Sequence, residues 1–163
     1  MARVIIPEFI MSSKINILYV DDEVHNLHAF KATFRREYNV FIAESGIDAL
    51  EIFKKESLDI ILTDQRMPEM TGIEFLMEVQ KINPEPMRIL ITGYSDINAV
   101  IDAINKGQVY RYLNKPWQEG ELRATIESAY EVFRLRRENK ELIAKLERAN
   151  EQLEFLLRQR LLS

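Results

Sequence analysis

The sequence predicts an α/β fold, in which a doubly wound sheet of five parallel strands is followed by a long C-terminal coiled-coil helix. Two observations lead to this prediction. Between residues 15 and 131, short apolar runs alternate five times with segments of helical period. Beyond residue 131 a heptad repeat replaces the alternation.

Five apolar runs have the length and composition of β-strands. They are rich in Ile, Leu, Val and Tyr, and their nearly continuous apolar character indicates burial on both faces, as in a parallel sheet. The runs cover residues 15–20, 40–43, 58–63, 87–92 and 109–113. We expect the flavodoxin-like strand order 2-1-3-4-5, which places the first strand between the second and the third.

The segments between these runs carry apolar residues at the spacings of three and four that a helix needs to bury one face. Asn83-Pro84 and residues 105–107 supply helix stop signals. The apolar residues that define the four helical patterns are Leu27, Phe30 and Phe34; Ile47, Leu50 and Phe53; Ile73, Leu76 and Val79; and Ile97, Val100, Ile101 and Ile104.

Composition narrows the function classes. The chain has 163 residues, 47% of them hydrophobic, which is enough for one compact domain and an appendage. It has no cysteine, which excludes disulfides and thiolate chemistry and suits a reducing compartment such as the cytoplasm. A net charge of −4 argues against direct nucleic acid binding, and no apolar run is long enough to span a membrane. Residues 1–13 are expected to be a vector-derived or disordered leader.

Polar residues with compatible chemistry follow four of the five predicted strands. Asp21 and Asp22 follow the first strand, Asp64 the third, Thr92 ends the fourth, and Lys115 follows the fifth. Ligands of doubly wound sheets bind outside the carboxyl ends of the strands, so these groups are expected to meet there. Taken singly, each has a commoner structural role as a helix cap, a turn or a loop residue. Their coincidence at one edge favours a functional site.

Three neighbouring carboxylates repel one another and need a compensating charge. Mg²⁺ is suited to this, because it takes one or two carboxylates together with water and phosphate. A lysine and a threonine hydroxyl beside the metal can bind a further anion. The expected set of groups is that of a device that places a phosphoryl group on a carboxylate.

These residues resemble the response regulator receiver domains of two-component signal transduction. The resemblance covers about residues 14–131. It rests on Asp-Asp-Glu at 21–23, on the string DQRMPEMTG at 64–72, on Thr-Gly at 92–93 and on Lys-Pro at 115–116. The order of these motifs along the chain makes the match specific.

The resemblance implies that Asp64 is the phosphoacceptor. It implies a Mg²⁺ site formed by Asp22, Asp64 and the backbone carbonyl of Arg66, with Asp21 acting largely through coordinated water. The phosphoryl donor would be a sensor histidine kinase or a phosphotransfer protein. The chain would not be an enzyme in the usual sense, because it would catalyse only its own phosphoryl transfer and autodephosphorylation.

The resemblance also implies the parts of a switch. Lys115 would pair with the phosphoryl group, Thr92 would move to hydrogen-bond it, and Tyr112 would turn inward behind Thr92. Phosphorylation would then bias a surface that has two states.

Residues 132–163 show a heptad pattern, and we expect them to form a parallel dimeric coiled coil that links the receiver to a downstream effector domain absent from this chain. An Asn at one a position fixes register and favours two strands. Basic and acidic residues are interleaved, which indicates a solvated face. A solitary helix packed on the receiver is the alternative. The a and d positions are Val132, Leu135, Asn139, Leu142, Leu146, Ala149, Leu153 and Leu156.

Three other functions fit less well. An aspartyl-nucleophile phosphatase places its acids as Asp-x-Asp after the first strand, whereas Asp21 and Asp22 are adjacent. A flavin or nucleotide binder needs a loop rich in Gly, Ser or Thr at the same place. A degenerate receiver used as a scaffold would lack part of the acceptor set, and here the set is complete.

Overall fold

The computed structural model describes residues 14–162, apart from the side chain of Tyr94. The predicted leader at residues 1–13 lies outside the described residues. The chain divides into two compact units, one ending at Tyr130 and one beginning at Glu131. The receiver and coiled-coil boundary predicted at 131–132 stays a prediction.

The first unit contains a five-stranded parallel sheet in the order β2-β1-β3-β4-β5, which confirms the predicted fold class and strand order. The strands are β1 (Asn16–Val20), β2 (Asn39–Ala43), β3 (Ile60–Asp64), β4 (Met87–Thr92) and β5 (Arg111–Asn114). The helices are α1 (Val24–Phe34), α2 (Gly46–Lys55), α3 (Gly72–Ile82), α4 (Ile97–Asn105) and α5 (Glu119–Leu162), and a short 3₁₀ turn covers Tyr94–Asp96.

Both faces of the sheet are covered. Leu18 and Val20 of β1 are buried in a cluster with residues of α2, α3 and α4. Tyr19 lies between them in sequence and therefore faces the other side of the sheet. Its ring stacks on Phe30 of α1, with the ring centroids 4.5 Å apart. This burial on both faces is what the continuous apolar strands predicted.

In two helices, one residue of the predicted apolar stripe is exposed. In α2 the predicted Phe53 is buried, but Ile47 is 51% exposed, and Gly46 and Ala49 are buried as well. Ile101 of α4 is likewise 47% exposed. Besides the predicted Phe53 and Val100, small residues that carry little apolar signal are buried in these helices: Gly46 and Ala49 in α2 and Ala103 in α4. The pattern therefore placed the helices correctly and misjudged one inward-facing residue in each.

Helix starts follow local capping. The Ser45 hydroxyl accepts a hydrogen bond from the Asp48 N–H at 3.1 Å, and Thr71 accepts one from the Glu74 N–H at 3.2 Å. Such caps satisfy amide groups that the first helical turn leaves unpaired. The cap at Thr71 fixes the start of α3 at Gly72, the last residue of the 64–72 string.

The second unit is helical from residue 131 to residue 162. The apolar residues of its heptad lie at the surface of the single chain, and several are more than half exposed: Leu135, Leu142, Leu146, Leu153 and Leu156. None of the helices in the described part of the chain combines the length and the apolar character needed to cross a membrane.

Candidate functional site

The carboxyl ends of four strands meet at one edge of the sheet and carry the predicted site residues there. Asp21 follows β1, Asp64 is the last residue of β3, Thr92 is the last residue of β4, and Lys115 follows β5. Backbone hydrogen bonds fix these ends against one another, because the Lys115 N–H donates to the Thr92 carbonyl at 3.0 Å. The topology therefore brings together residues that lie 94 positions apart in sequence, from 21 to 115.

Asp64 lies at the centre of this edge. Its residue is only 3% exposed, and its Oδ1 accepts hydrogen bonds from the Lys115 Nζ at 2.7 Å and from the Gln65 N–H at 2.9 Å. No other residue in the range 14–162 donates to this carboxylate, so Oδ2 is left available. Burial raises the pKa of Asp64, an effect to which Asp21 adds and which the neighbouring Lys115 opposes.

Lys115 is the cation of the site. Burial alone would lower the pKa of its ammonium, but the hydrogen bond and charge of Asp64 outweigh this, and the pKa of Lys115 is raised. The ammonium therefore stays charged beside the carboxylate. Its side chain remains 34% exposed, so the same ammonium can also reach an anion that arrives from solvent.

The three acids form a group that could hold a metal ion. One carboxylate oxygen each from Asp21, Asp22 and Asp64 lies within 4.8 Å of the other two. Asp21 and Asp64 are buried, whereas Asp22 is exposed. An all-oxygen set with one face open to water is the donor set that Mg²⁺ prefers, so the residues fit this ion.

The 64–72 string folds back tightly onto Asp64. The Gly72 N–H donates to the Gln65 carbonyl at 3.0 Å, and the Gln65 side-chain oxygen accepts the Ile73 N–H at 2.9 Å. A Cβ atom on Gly72 would lie 2.3 Å from the Asp64 carbonyl oxygen. Glycine at this position is therefore required by the close approach of α3 to the end of β3.

The side chain of Arg66 points to the loop after β4. Its Nη2 donates to the Ser95 hydroxyl at 2.6 Å, and its Nε to Asp96 Oδ2 at 3.2 Å. The side chain is 72% exposed, so this contact is solvated. The predicted role of Arg66 concerned its backbone carbonyl, on which the side-chain contacts have no bearing.

Thr92 and Tyr112, the residues of the predicted switch, lie on the neighbouring strands β4 and β5. Thr92 is 1% exposed, and its hydroxyl donates to the Gly93 carbonyl at 3.2 Å. Tyr112 pairs with Leu90 across β4 and β5 and packs, partly buried, against the main core cluster. The structure thus brings Asp21, Asp22, Asp64, Thr92 and Lys115 to one edge, and Tyr112 lies two residues before the end of β5 at that edge.

Two residues at the site were not predicted. The Tyr19 hydroxyl donates to Asp21 Oδ2 at 3.0 Å, and the Asn26 amide donates to the same oxygen at 3.1 Å. Strand periodicity contained the signal for Tyr19, because residues two apart on a strand share a face. Asn26 lies five residues after Asp21 in α1, and no spacing rule relates the two.

Comparison with known proteins places this geometry in a family. The family model described as "Response regulator receiver domain" matches residues 17–127. Over 128 residues, 78% of this chain, the sequence is 37% identical to the hydrogenase transcriptional regulatory protein HoxA of Bradyrhizobium diazoefficiens. It is 38% identical over 71% of its length to the transcriptional regulatory protein ZraR of Escherichia coli. The chain spans about a quarter of the length of these curated relatives, 26% in each case.

Solved structures agree. A structure titled as adenylate cyclase from Rhodopirellula baltica matches with a TM-score of 0.79 and 34% identity, covering 82% of this chain and 99% of that chain. A response regulator receiver domain protein from Clostridium thermocellum matches with a TM-score of 0.71 and 32% identity, covering 74% and 98% of the two chains. The fold, the acidic edge with its lysine, and the family match over residues 17–127 together show that this chain belongs to the response regulator receiver family.

Proposed function

We propose that this chain is a phosphorylation-dependent signalling switch whose phosphoacceptor is Asp64. The observation that carries the proposal is the buried Asp64 carboxylate, held at 2.7 Å by Lys115 and lying within 4.8 Å of two further acids. A simple salt bridge with Lys115 would need only Asp64. The two further acids beside Asp64 support a site that binds a cation as well as an anion.

The proposed reaction is transfer of a phosphoryl group from a phosphohistidine. Asp64 Oδ2, which lacks a protein donor among residues 14–162, attacks phosphorus; the P–N bond of the donor breaks, its electron pair stays on the imidazole, and an acyl phosphate forms. Lys115 then moves its hydrogen bond from the carboxylate to a phosphoryl oxygen, and the Thr92 hydroxyl leaves the Gly93 carbonyl to bind another. Positioning and charge neutralisation account for most of the catalysis in such transfers.

Asp22, Asp64 and the Arg66 carbonyl would hold Mg²⁺, with Asp21 acting through coordinated water. Mg²⁺ would neutralise the phosphoryl oxygens as negative charge gathers on the acceptor. The exposed position of Asp22 supports a direct ligand role, since a ligand at the surface leaves room for retained water. The hydrogen bonds that Asp21 already accepts support its indirect role.

The proposed partners follow from the receiver family. A sensor histidine kinase or a phosphotransfer protein would supply the phosphoryl group, and an effector domain outside this chain would read the result. HoxA and ZraR are named as transcriptional regulatory proteins, and this chain matches only 26% of each. Movement of Thr92 and Tyr112 would change the surface that the effector senses. A cytoplasmic location remains a prediction.

We also propose that the second unit forms a parallel homodimeric coiled coil. Its leucines at a and d positions are between 51% and 63% exposed in the single chain, as in Leu135 and Leu146. Covering one exposed leucine contributes about 1.5–3 kcal/mol, so a stripe of five supports association with a second copy. Asn139 within the stripe supports a two-stranded, in-register arrangement.

The test of the proposed acceptor is labelling. Incubation of the intact chain with acetyl phosphate and Mg²⁺ should add one phosphoryl group, measured by intact-mass spectrometry. Asp64→Asn should abolish the addition, because the amide cannot form the acyl phosphate. Asp48→Asn, which removes an exposed carboxylate at the start of α2, is the matched control and should label normally. Labelling of the Asp64→Asn chain at the wild-type level would show that the acceptor is elsewhere.

A further inference from the structure

Asp21 is a fully buried carboxylate held by three donors. It is 0% exposed; its Oδ2 accepts from the Tyr19 hydroxyl and the Asn26 amide, and its Oδ1 accepts the Glu23 N–H at 3.0 Å. A carboxylate offers about four acceptor positions, so about one is left. The orientation of Asp21 is thus fixed by its neighbours before any metal arrives.

Of these donors, Tyr19 is the most deeply buried. It is 1% exposed, it lies on β1, and its ring stacks on Phe30 at 4.5 Å. A tyrosine hydroxyl keeps its proton at neutral pH, so the group remains a donor. At a strand position buried between helices, an apolar side chain would satisfy packing alone. A buried hydroxyl is favourable only when it is hydrogen-bonded, and its acceptor here is Asp21.

Trp117 completes the aromatic cluster around Tyr19. Its ring contacts Phe30 and Phe34, with centroids 6.2 Å apart in both cases, and Phe30 in turn stacks on Tyr19. This packing holds the Tyr19 ring in place, and the Tyr19 hydroxyl donates to Asp21 Oδ2 at 3.0 Å.

We infer that Tyr19 is a positioning residue for the metal site: its hydroxyl, held by the aromatic packing of its ring, orients Asp21 so that the remaining Oδ1 position would face the ion and its water. The inference rests on the proposed function, because it assumes the Mg²⁺ site. Removal of a residue that hydrogen-bonds a metal ligand and so orients it typically weakens metal affinity by about 10–100-fold. Since Asn26 keeps a second bond to the same oxygen, we expect the lower end of this range.

The test compares two tyrosines that each lose only a hydroxyl. Tyr19→Phe removes the donor to Asp21. Tyr38→Phe is the matched control: Tyr38 is 5% exposed, it stacks on Phe34, and in the described part of the chain its hydroxyl lacks a hydrogen-bond partner. Calorimetric titration of the intact chain with MgCl₂ should give a dissociation constant about tenfold weaker for Tyr19→Phe and unchanged for Tyr38→Phe.

A second measurement separates positioning from general stability. The midpoint of thermal unfolding is recorded for each chain without and with saturating Mg²⁺. A positioning role reduces the rise in midpoint that Mg²⁺ produces, whereas a purely structural role lowers both midpoints equally and would overturn the inference. If Tyr19→Phe does not fold, Tyr19→Met removes the same hydroxyl and keeps an apolar side chain at this position, and wild-type Mg²⁺ affinity in that chain would overturn the inference instead.

The possible outcomes distinguish a failure of the proposed role of Tyr19 from a failure of the proposed Mg²⁺ site. Equal Mg²⁺ affinity in the wild type and in Tyr19→Phe overturns the role of Tyr19 and leaves the metal site standing. Equal weakening by Tyr19→Phe and Tyr38→Phe also overturns it, because the effect would then be general to the aromatic cluster. A wild-type chain that binds no Mg²⁺ overturns the proposed metal site and this inference together.

Discussion

Asp64 shows how much one side chain depends on its surroundings. An isolated carboxylate that is 3% exposed would be costly to keep ionised, and Lys115 at 2.7 Å compensates for that burial. In the proposed reaction, the same ammonium would release the carboxylate oxygen when a phosphoryl group arrives. The resting ion pair would thus already hold in place the lysine that later binds the phosphoryl group.

Gly72 is the residue whose side chain is most restricted by the site. We predict that Gly72→Ala destabilises the fold by about 1–3 kcal/mol, because its Cβ would lie 2.3 Å from the Asp64 carbonyl oxygen and 2.9 Å from Leu90 Cδ1. Urea denaturation followed by circular dichroism measures the change. The backbone at Gly72 is helical, so the loss would come from contact with Asp64 and Leu90 and not from an unusual φ.

Gly120→Ala is the control for this substitution. Gly120 lies in the first turn of α5, and no atom is found within 4 Å of an added Cβ. Alanine is favoured over glycine in a helix by about 1 kcal/mol, so this variant should be as stable as the wild type or slightly more so. Comparable destabilisation by both substitutions would contradict the steric argument for Gly72.

At the scale of secondary structure, the sequence was most informative in two situations. Strand β4 (Met87–Thr92), which is buried on both sides, was predicted with its observed bounds. The helix that starts at Glu119 was predicted because no helix-breaking residue follows Gly120. The fifth strand was placed two residues too early, at 109–113, and begins at Arg111. Tyr110 lies just before β5, and its backbone N–H donates to the Arg88 carbonyl of β4, so the chain is already bonded to β4 before the strand begins.

Contacts between elements were less predictable than the elements. The acids and Lys115 could be placed at one edge because parallel strands all end there. The bond from Arg66 to Ser95 and Asp96 joins two loops, and the bond from Asn26 to Asp21 joins a helix to a strand end. Such pairs depend on side-chain rotamers and loop paths, on which the spacing of residues in one sequence carries no information.

One such contact gives a prediction about pH. Arg123 of α5 donates from Nη2 to Glu37 Oε1 at 2.7 Å and from Nε to Oε2 at 2.9 Å. This bidentate bond lowers the pKa of Glu37 below its ordinary value of 4.5. A carboxylate with a lowered pKa in the folded state contributes stability that is present above 4.5 and is lost as the pH falls through the lowered value.

We therefore expect Glu37→Gln to lower the urea midpoint at pH 7 and to lose this effect below pH 4.5, where the wild-type acid becomes protonated. Urea titrations of both chains over this range measure the convergence. Glu51→Gln, at an exposed acid 4.0 Å from Lys54 within α2, is the control and should have a smaller effect at pH 7. A difference between wild type and Glu37→Gln that persists undiminished in acid would contradict the assignment.

At the scale of the whole molecule, the exposed leucine stripe predicts the oligomeric state. Light scattering of the intact chain at tens of micromolar should give a dimer. Leu142→Asp should give a monomer, because it places a charge in the middle of the proposed seam, where the leucine is 57% exposed in the single chain. Ala144→Asp adds the same charge at the outward f position and should leave the dimer intact.

Asn139 refines this prediction. Asn139→Val should raise the thermal stability of the dimer and loosen its choice of oligomer, since a buried Asn favours two strands at a cost in stability. A monomeric wild-type chain, or a Leu142→Asp chain that remains dimeric, would show that residues 132–156 do not form the proposed seam.

The strand order also determines at what point during synthesis the acidic site acquires its lysine. A ribosome makes the chain from its N-terminus at about 5–20 residues per second, and the acids at 21, 22 and 64 emerge well before Lys115. The last strand made, β5, is an edge strand, so it can be added to a sheet that has already formed. A nascent chain that lacks it would carry the acids without their ammonium. Under the proposed function, competence to accept a phosphoryl group would be gained only with the final strand, and an incompletely synthesised receiver would draw no phosphoryl groups from the proposed donor.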